Sequence, residues 1–181
     1  LVRGERALQR ACCHGLRAMR SHIDSLGPGS EPSWRALLQL RERWRDRIDL
    51  QLVALVPVAH WSTPEGELLA QQVAEWGGLL GGVLSPPCGG VSVRQQLKAL
   101  LVLADRFGCA VDLHIDEADR DPGAGLQQLL RVQEQLHCRQ PITCSHASSL
   151  ALLPQRQLRR LAERMADARL QVVALPLTNG W

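Results

Sequence analysis

Strand-like runs recur along this chain at a spacing near thirty residues, and that recurrence limits its fold more than any other feature. The runs are "GLRAMRSHID" with its strand end at His22, "IDLQLVAL" to Leu55, "GGLLGGVLS" to Ser85, "CAVDLH" to His114, "PITCSH" to His146 and "LQVVAL" to Leu175. Successive ends are 33, 30, 29, 32 and 29 residues apart. Such a spacing fits one strand, one helix and their turns. Between the runs, apolar residues return every three or four positions, as on an amphipathic helix. Leu37, Leu38, Leu40 and Trp44 do so in "WRALLQLRERW"; Val93, Leu97, Leu100 and Leu101 in "VRQQLKALLVLADRF"; Leu126, Leu129, Leu130 and Leu136 in "LQQLLRVQEQL". "PQRQLRRLAERM" adds Leu158, Leu161 and Met165 behind Pro154, a residue favoured at helix starts. Unbroken alternation of strand and helix implies an α/β protein with a parallel sheet, either doubly wound or closed into a barrel.

The two glycine-rich stretches narrow the choice of chemistry. "GGLLGG" (77–82) and "PPCGG" (86–90) fit neither a dinucleotide fingerprint nor a phosphate loop. The first is expected where a helix joins a strand, the second in a loop. With no Tyr, one Phe and no basic stripe among the 21 Lys and Arg, the chain offers no stacking platform for nucleic acid. It has no apolar run near the length of a membrane span and no signal-peptide pattern, so a cytoplasmic protein without a membrane partner is expected. The six cysteines form no CxxC pair and suit reduced core thiols. Cys12, Cys13 and His14 are adjacent on a helix and cannot all face one ion, so packing is expected of them.

In both parallel architectures ligands sit at the carboxyl ends of the strands. His22, His114 and His146 all fall there. In a barrel those ends converge on one mouth, whereas an open sheet would string them along an edge; convergence favours the barrel. "VDLHIDEADRD" (111–121) then sets Asp112, His114, Asp116, Glu117 and Asp119 close to a buried strand, where each is costly unless paired or bound to a metal. Imidazole is the commonest side-chain metal ligand, and a carboxylate three residues on can reach a water on that metal. His114 and Glu117 stand in that relation, and His146 on the next strand can bind the ion or hold the same water. The constellation suits metal-assisted hydrolysis.

"HIDE" (114–117), "SHAS" (145–148), "RSHID" (20–24), "IDLQLVAL" (48–55) and "PLTN" (176–179) resemble the cytosine deaminase branch of the amidohydrolase superfamily, in order and spacing along nearly the whole chain. The resemblance implies a (β/α)8 TIM barrel of the metallo-dependent hydrolase type. Residues 1–181 would be its central part, strands 2 to 7, without the HxH pair of strand 1 and the aspartate of strand 8. It implies one divalent metal ion, Fe2+ or Zn2+, and hydrolytic deamination of a small nitrogen heterocycle. His114 matches a metal ligand. Glu117 matches the carboxylate that shuttles protons and contacts the substrate ring, and His146 the residue that orients the attacking water. His22 and Asp116 are expected to support the site or the structure, as is Asp119. Cytosine-specific members carry a base-binding glutamine where this chain has Pro57, which offers no donor. A cyclic amidine, triazine or alkylated ring is therefore expected as substrate.

Two other readings stay open: a truncated, catalytically inactive paralogue serving as a binding or scaffold protein, and a doubly wound domain that binds a small ligand without metal. A homo-oligomer is compatible with each. Six parallel strands cannot close a barrel, so unpaired edges and an exposed inner face rich in Val and Leu are expected to leave the isolated chain insoluble or molten.

Overall fold

The computed structural model describes residues 1–175; the "PLTN" stretch at 176–179 lies outside them. Elements follow in the order α1 (Val2–Cys13), β1 (Ala18–Asp24), α2 (Ser30–Trp44), β2 (Asp49–Pro57), α3 (Pro64–Glu75), β3 (Leu79–Val83), α4 (Val91–Phe107), β4 (Val111–Ile115), α5 (Ala124–Leu136), β5 (Ile142–His146), α6 (Gln155–Asp167) and β6 (Gln171–Val173). Short 3-10 turns follow β2 (Val58–Ser62) and β5 (Ser148–Leu152). The strands form one parallel sheet in the order β1-β2-β3-β4-β5-β6, as the thirty-residue spacing requires.

Side chains alternate across a strand, so each strand has a helix-facing set and an inner set. The helix-facing set is apolar. Leu50, Leu52, Ala54 and Val56 of β2, with Leu80, Val111, Leu113, Ile142 and Cys144, pack with Trp34, Leu97, Leu101, Leu126 and Leu130 of the helices in one core. Two buried indoles find acceptors there, Trp34 Nε1 donating to Ser25 Oγ at 2.9 Å and Trp61 Nε1 to the Gly81 carbonyl at 3.0 Å. α1 is tied to α2 by Trp44 Nε1 on Glu5 at 2.9 Å.

The inner set holds polar residues beside the expected Val and Leu. It is mixed, with Arg20 and His22 on β1, Gln51 on β2, Asp112 and His114 on β4, Thr143 and Ser145 on β5 and Gln171 on β6 set among Val53, Leu55, Val83 and Val173. Register keeps them in rows, Gly81 opposite Asp112 opposite Thr143 opposite Gln171, and Val83 opposite His114 opposite Ser145 opposite Val173. The sheet also curls. Arg20 Nη1 donates to Thr143 Oγ1 at 3.0 Å, although β1 and β5 are four strand spacings apart. In a flat sheet that is about 19 Å, beyond the reach of any side chain. The fold is a half-barrel whose concave face holds the strand ends together.

Local departures have local causes. α3 lay in a stretch without a named helical repeat, yet Thr63 Oγ1 accepts the Gly66 N–H at 3.1 Å with Pro64 following it, a legible N-terminus. Gly66 is required there, since a Cβ would lie 2.2 Å from the His60 carbonyl oxygen. Gly81 and Gly82 lie inside β3 rather than at a helix junction; a Cβ on Gly81 would meet Val53 Cγ1 at 2.4 Å. "PPCGG" is a loop, as expected. Of Cys12, Cys13 and His14, only Cys12 packs against the core; Cys13 and His14 are exposed, because they turn away from α2 at the end of α1.

Candidate active site

The carboxyl ends of β1, β4 and β5 bring His22, His114 and His146 into one group. The His114 ring centroid is 4.6 Å from that of His22 and 4.8 Å from that of His146, both edge-on. His146 Nε2 lies 3.3 Å from His114 Nδ1, and Glu117 Oε1 lies 3.4 Å from His146 Nδ1. His114, Glu117 and His146 offer donor atoms that all lie within 4.8 Å of one another. His146 is 6 % exposed, whereas the Glu117 side chain is 47 % exposed.

The backbone that presents these groups is strained. Asp116 (φ 52°), His146 (φ 76°) and Ala147 (φ 51°) occupy the left-handed region, which costs a non-glycine residue about 1–2 kcal/mol. Neighbouring hydrogen bonds hold them. The Asp116 carboxylate accepts the N–H groups of Gly125 at 3.0 Å and Leu126 at 2.8 Å, at the start of α5. Ala147 N–H donates to the Ile115 carbonyl at 3.1 Å and Ser149 N–H to the Asp116 carbonyl at 2.9 Å, stitching the β4 and β5 ends together. Burial raises the Asp116 carboxyl above its ordinary range against the pull of its two N–H donors. Asp116 thus touches helix backbone, and Asp119 is exposed outside the group.

Beneath the histidines lies a network that the sequence reading did not assign. Asp112, 1 % exposed, accepts from Arg20 Nη1 at 2.5 Å and from Ser145 Oγ at 2.9 Å. Arg20 also donates through Nε and Nη2 to Gln51 Oε1 at 3.0 and 2.9 Å. His22 Nε2 lies 3.3 Å from Asp112 Oδ1. Burial works to raise the Asp112 carboxyl, yet His22, Arg20 and Ser145 outweigh it and hold the group below its usual range. A sequence signal for this network existed: Arg20 and His22, Asp112 and His114, Thr143 and Ser145 each sit two apart in a strand, the period of one face.

His114 is suited to bind a cation. Burial, with the imidazoles of His22 and His146, holds it below the ordinary histidine range against the pull of Asp112 and Glu117, which favours the neutral ring. Its Nε2 is buried and has no hydrogen-bond partner. A buried polar atom without a partner calls for an ion or water. The residues present therefore fit a divalent metal. The group opens into a pocket of about 490 Å³ on the concave face. A larger crevice of about 890 Å³ lies at the opposite, amino ends of β5 and β6, and neither three-donor cluster of the described residues is in it. Pro57 ends β2, exposed and opposite Val83, the neighbour of His114 in the row.

Comparison with known proteins gives these groups a context. No protein-family model matches the chain. It is 32 % identical over 180 residues to the pterin deaminase of Rhizobium rhizogenes, covering 98 % of this chain and 40 % of that protein. Its fold superposes on 5-methylcytosine deaminase from Klebsiella pneumoniae with a TM-score of 0.82 at 25 % identity, covering 98 % of this chain and 43 % of the other. It superposes on N-isopropylammelide isopropylaminohydrolase from Burkholderia multivorans with a TM-score of 0.76 at 28 % identity, over 93 % and 43 %. The chain thus spans about two fifths of the length of these relatives. Sequence and fold agree over nearly all of its residues, and by that agreement the chain belongs to the amidohydrolase deaminase family.

Proposed function

We propose that these residues form the central part, strands 2 to 7, of a (β/α)8 barrel that hydrolyses a C–N bond of a small nitrogen heterocycle. The observation that carries the reading is the buried, unpartnered Nε2 of His114 set beside Glu117 and His146 at converging strand ends. Similarity to three enzymes named for pterin, 5-methylcytosine and N-isopropylammelide supports the substrate class.

His114 would hold one Fe2+ or Zn2+ ion, which, when bound, supplies Lewis acidity and lowers the pKa of water. His146, fixed by β5 and the left-handed turn after it, orients the attacking water through its ring. Glu117 Oε1 takes the proton from that water and returns it to a ring nitrogen or to the departing amine, and its exposure lets it reach the substrate ring at the mouth. Asp116 holds the Glu117 loop on the start of α5. Pro57 leaves the β2 side of the mouth without a donor, which favours a pterin-like, triazine or alkylated ring over cytosine. Free cysteines throughout the chain fit a reducing compartment such as the cytoplasm. No helix of the described residues is long and apolar enough to cross a membrane.

The experiment is metal analysis of the intact protein and its His114→Ala variant. The wild type is expected to hold one iron or zinc per chain and the variant none. Unchanged stoichiometry in a folded variant would remove His114 from the metal site.

A further inference from the structure

Asp112 joins strands that are not neighbours. It stands on β4 and meets Arg20 and His22 on β1, three strands away, and Ser145 on β5. Arg20 and His22 are two apart on one face of β1, as Asp112 and His114 are on β4, so the two pairs interlock. Arg20 Nη1 donates to Asp112 Oδ2 at 2.5 Å, His22 Nε2 lies 3.3 Å from Asp112 Oδ1, and the His22 ring stands 4.6 Å from the His114 ring at an interplanar angle of 74°. Gly81 on β3, opposite Asp112, has no side chain to stand between the strands. Asp112 is 1 % exposed, and a buried charge persists only where it is paired and hydrogen-bonded. Its two oxygens divide the partners: Arg20 on Oδ2, Ser145 and His22 on Oδ1.

That division determines where the His22 proton sits. A carboxylate only accepts, so Nε2, buried against it, carries the hydrogen, and the lone pair of the neutral ring is left on Nδ1. Arg20 only donates, and Gln51 Oε1 holds its Nε and Nη2, which fixes Nη1 on Asp112. We propose that Asp112 is a positioning residue which, held by Arg20 and Ser145, keeps His22 in its Nε2–H form and seats that ring edge-on against His114. The inference deepens the hydrolase reading and rests on it for the effect on turnover alone. His114 is confined by two rings, His22 and His146, and turning His22 to suit a different proton releases one of them. A buried aspartate that orients a histidine elsewhere acts in the same way: its amide replacement keeps the geometry and costs turnover through the wrong tautomer.

The test is nitrogen-15 NMR of histidine-labelled, intact, metal-depleted protein above the ordinary histidine range, where the ring is neutral, together with steady-state kinetics of the metal-loaded form. Wild type is compared with Asp112→Asn, and the His22 signal is identified by its loss in His22→Gln. An asparagine here must turn its oxygen to Arg20, since two donors would otherwise face each other, so its NH2 group takes the place of the oxygen that meets His22. The expected result is the Nε2–H form in wild type and the Nδ1–H form in Asp112→Asn, with turnover falling about 10- to 100-fold at unchanged KM. A loss of packing alone would not move the proton. An unswitched proton in folded Asp112→Asn, or a switch with wild-type turnover, overturns the proposal. Should Asp112→Asn not fold, wild type decides: a downfield Nε2 proton on His22 protected from exchange supports the proposal, and an Nδ1–H form or a freely exchanging Nε2 proton refutes it. Metal-loaded wild type that hydrolyses no heterocycle would instead overturn the hydrolase reading and leave the tautomer result standing.

Discussion

Glu117 is the member of the His114–Glu117–His146 group that reaches solvent, and its position separates two tasks that carboxylates perform in hydrolytic sites. With 47 % of its side chain exposed and one oxygen 3.4 Å from His146 Nδ1, it is the carboxylate to which the proposed function gives proton exchange with substrate and water. A positioned proton-transfer group is typically worth about 10²- to 10⁴-fold in rate. Glu117→Gln keeps the size and the loop but cannot take a proton. Turnover is expected to fall by about that factor while the metal content stays at the wild-type level. Steady-state rates on an amino-substituted heterocycle, measured beside metal analysis, check this; a variant with wild-type turnover would take Glu117 out of the chemistry. At this scale the sequence was informative about type and less so about partner. "HIDE" placed a carboxylate one loop past a histidine, but nothing in "VDLH" stated that Asp112 meets Arg20, 92 residues away across the concave face. Such a pairing depends on curvature, which no local run encodes.

Strands and helices were legible because their periods differ and their spacing repeats. The six expected strand ends fall within two residues of the observed ones, from Asp24 to Val173, and the four named helices match α2, α4, α5 and α6. The backbone linking strand to helix was less legible, since the left-handed Asp116, His146 and Ala147 are not the glycines that usually mark such turns. These turns depend on contacts made elsewhere. Asp116→Ala removes the acceptor of two buried N–H groups at the start of α5 and leaves a methyl side chain at φ 52°. A loss of about 2–4 kcal/mol is expected in urea unfolding, from the unpaired donors and the left-handed backbone together. Asp116→Asn retains an acceptor and tolerates that φ, so it should lose less than half as much. A folded Asp116→Ala protein within about 0.5 kcal/mol of wild type would show that these bonds do not hold the turn.

The whole sheet is a half-barrel, and its edges are its main liability. The concave face carries Arg20, His22, Gln51, Asp112, Thr143 and Ser145 among its Val and Leu residues, so exposing it carries a smaller hydrophobic penalty than a surface lined by Val and Leu alone. Among the described residues no further strand pairs with β1 or β6, and Val172 and Val173 on β6 are 47 % and 43 % exposed. Unpaired strand edges template association. The 181-residue chain expressed by itself is therefore expected to self-associate, and Val172→Lys to reduce the associated fraction in size-exclusion chromatography with light scattering. A monomeric wild-type chain would contradict this. Bringing three strand ends to one pocket is the purpose that the half-barrel serves, and the central claim is that a metal there makes the protein a hydrolase. The measurement that tests it most directly is ammonia or amine release from pterin, triazine and alkylated cytosine rings by the intact protein, before and after chelation and after readdition of iron or zinc. The account predicts release that stops on chelation and returns with metal. Release that survives complete metal removal, or a metal-loaded protein that binds these rings and hydrolyses none, would contradict it.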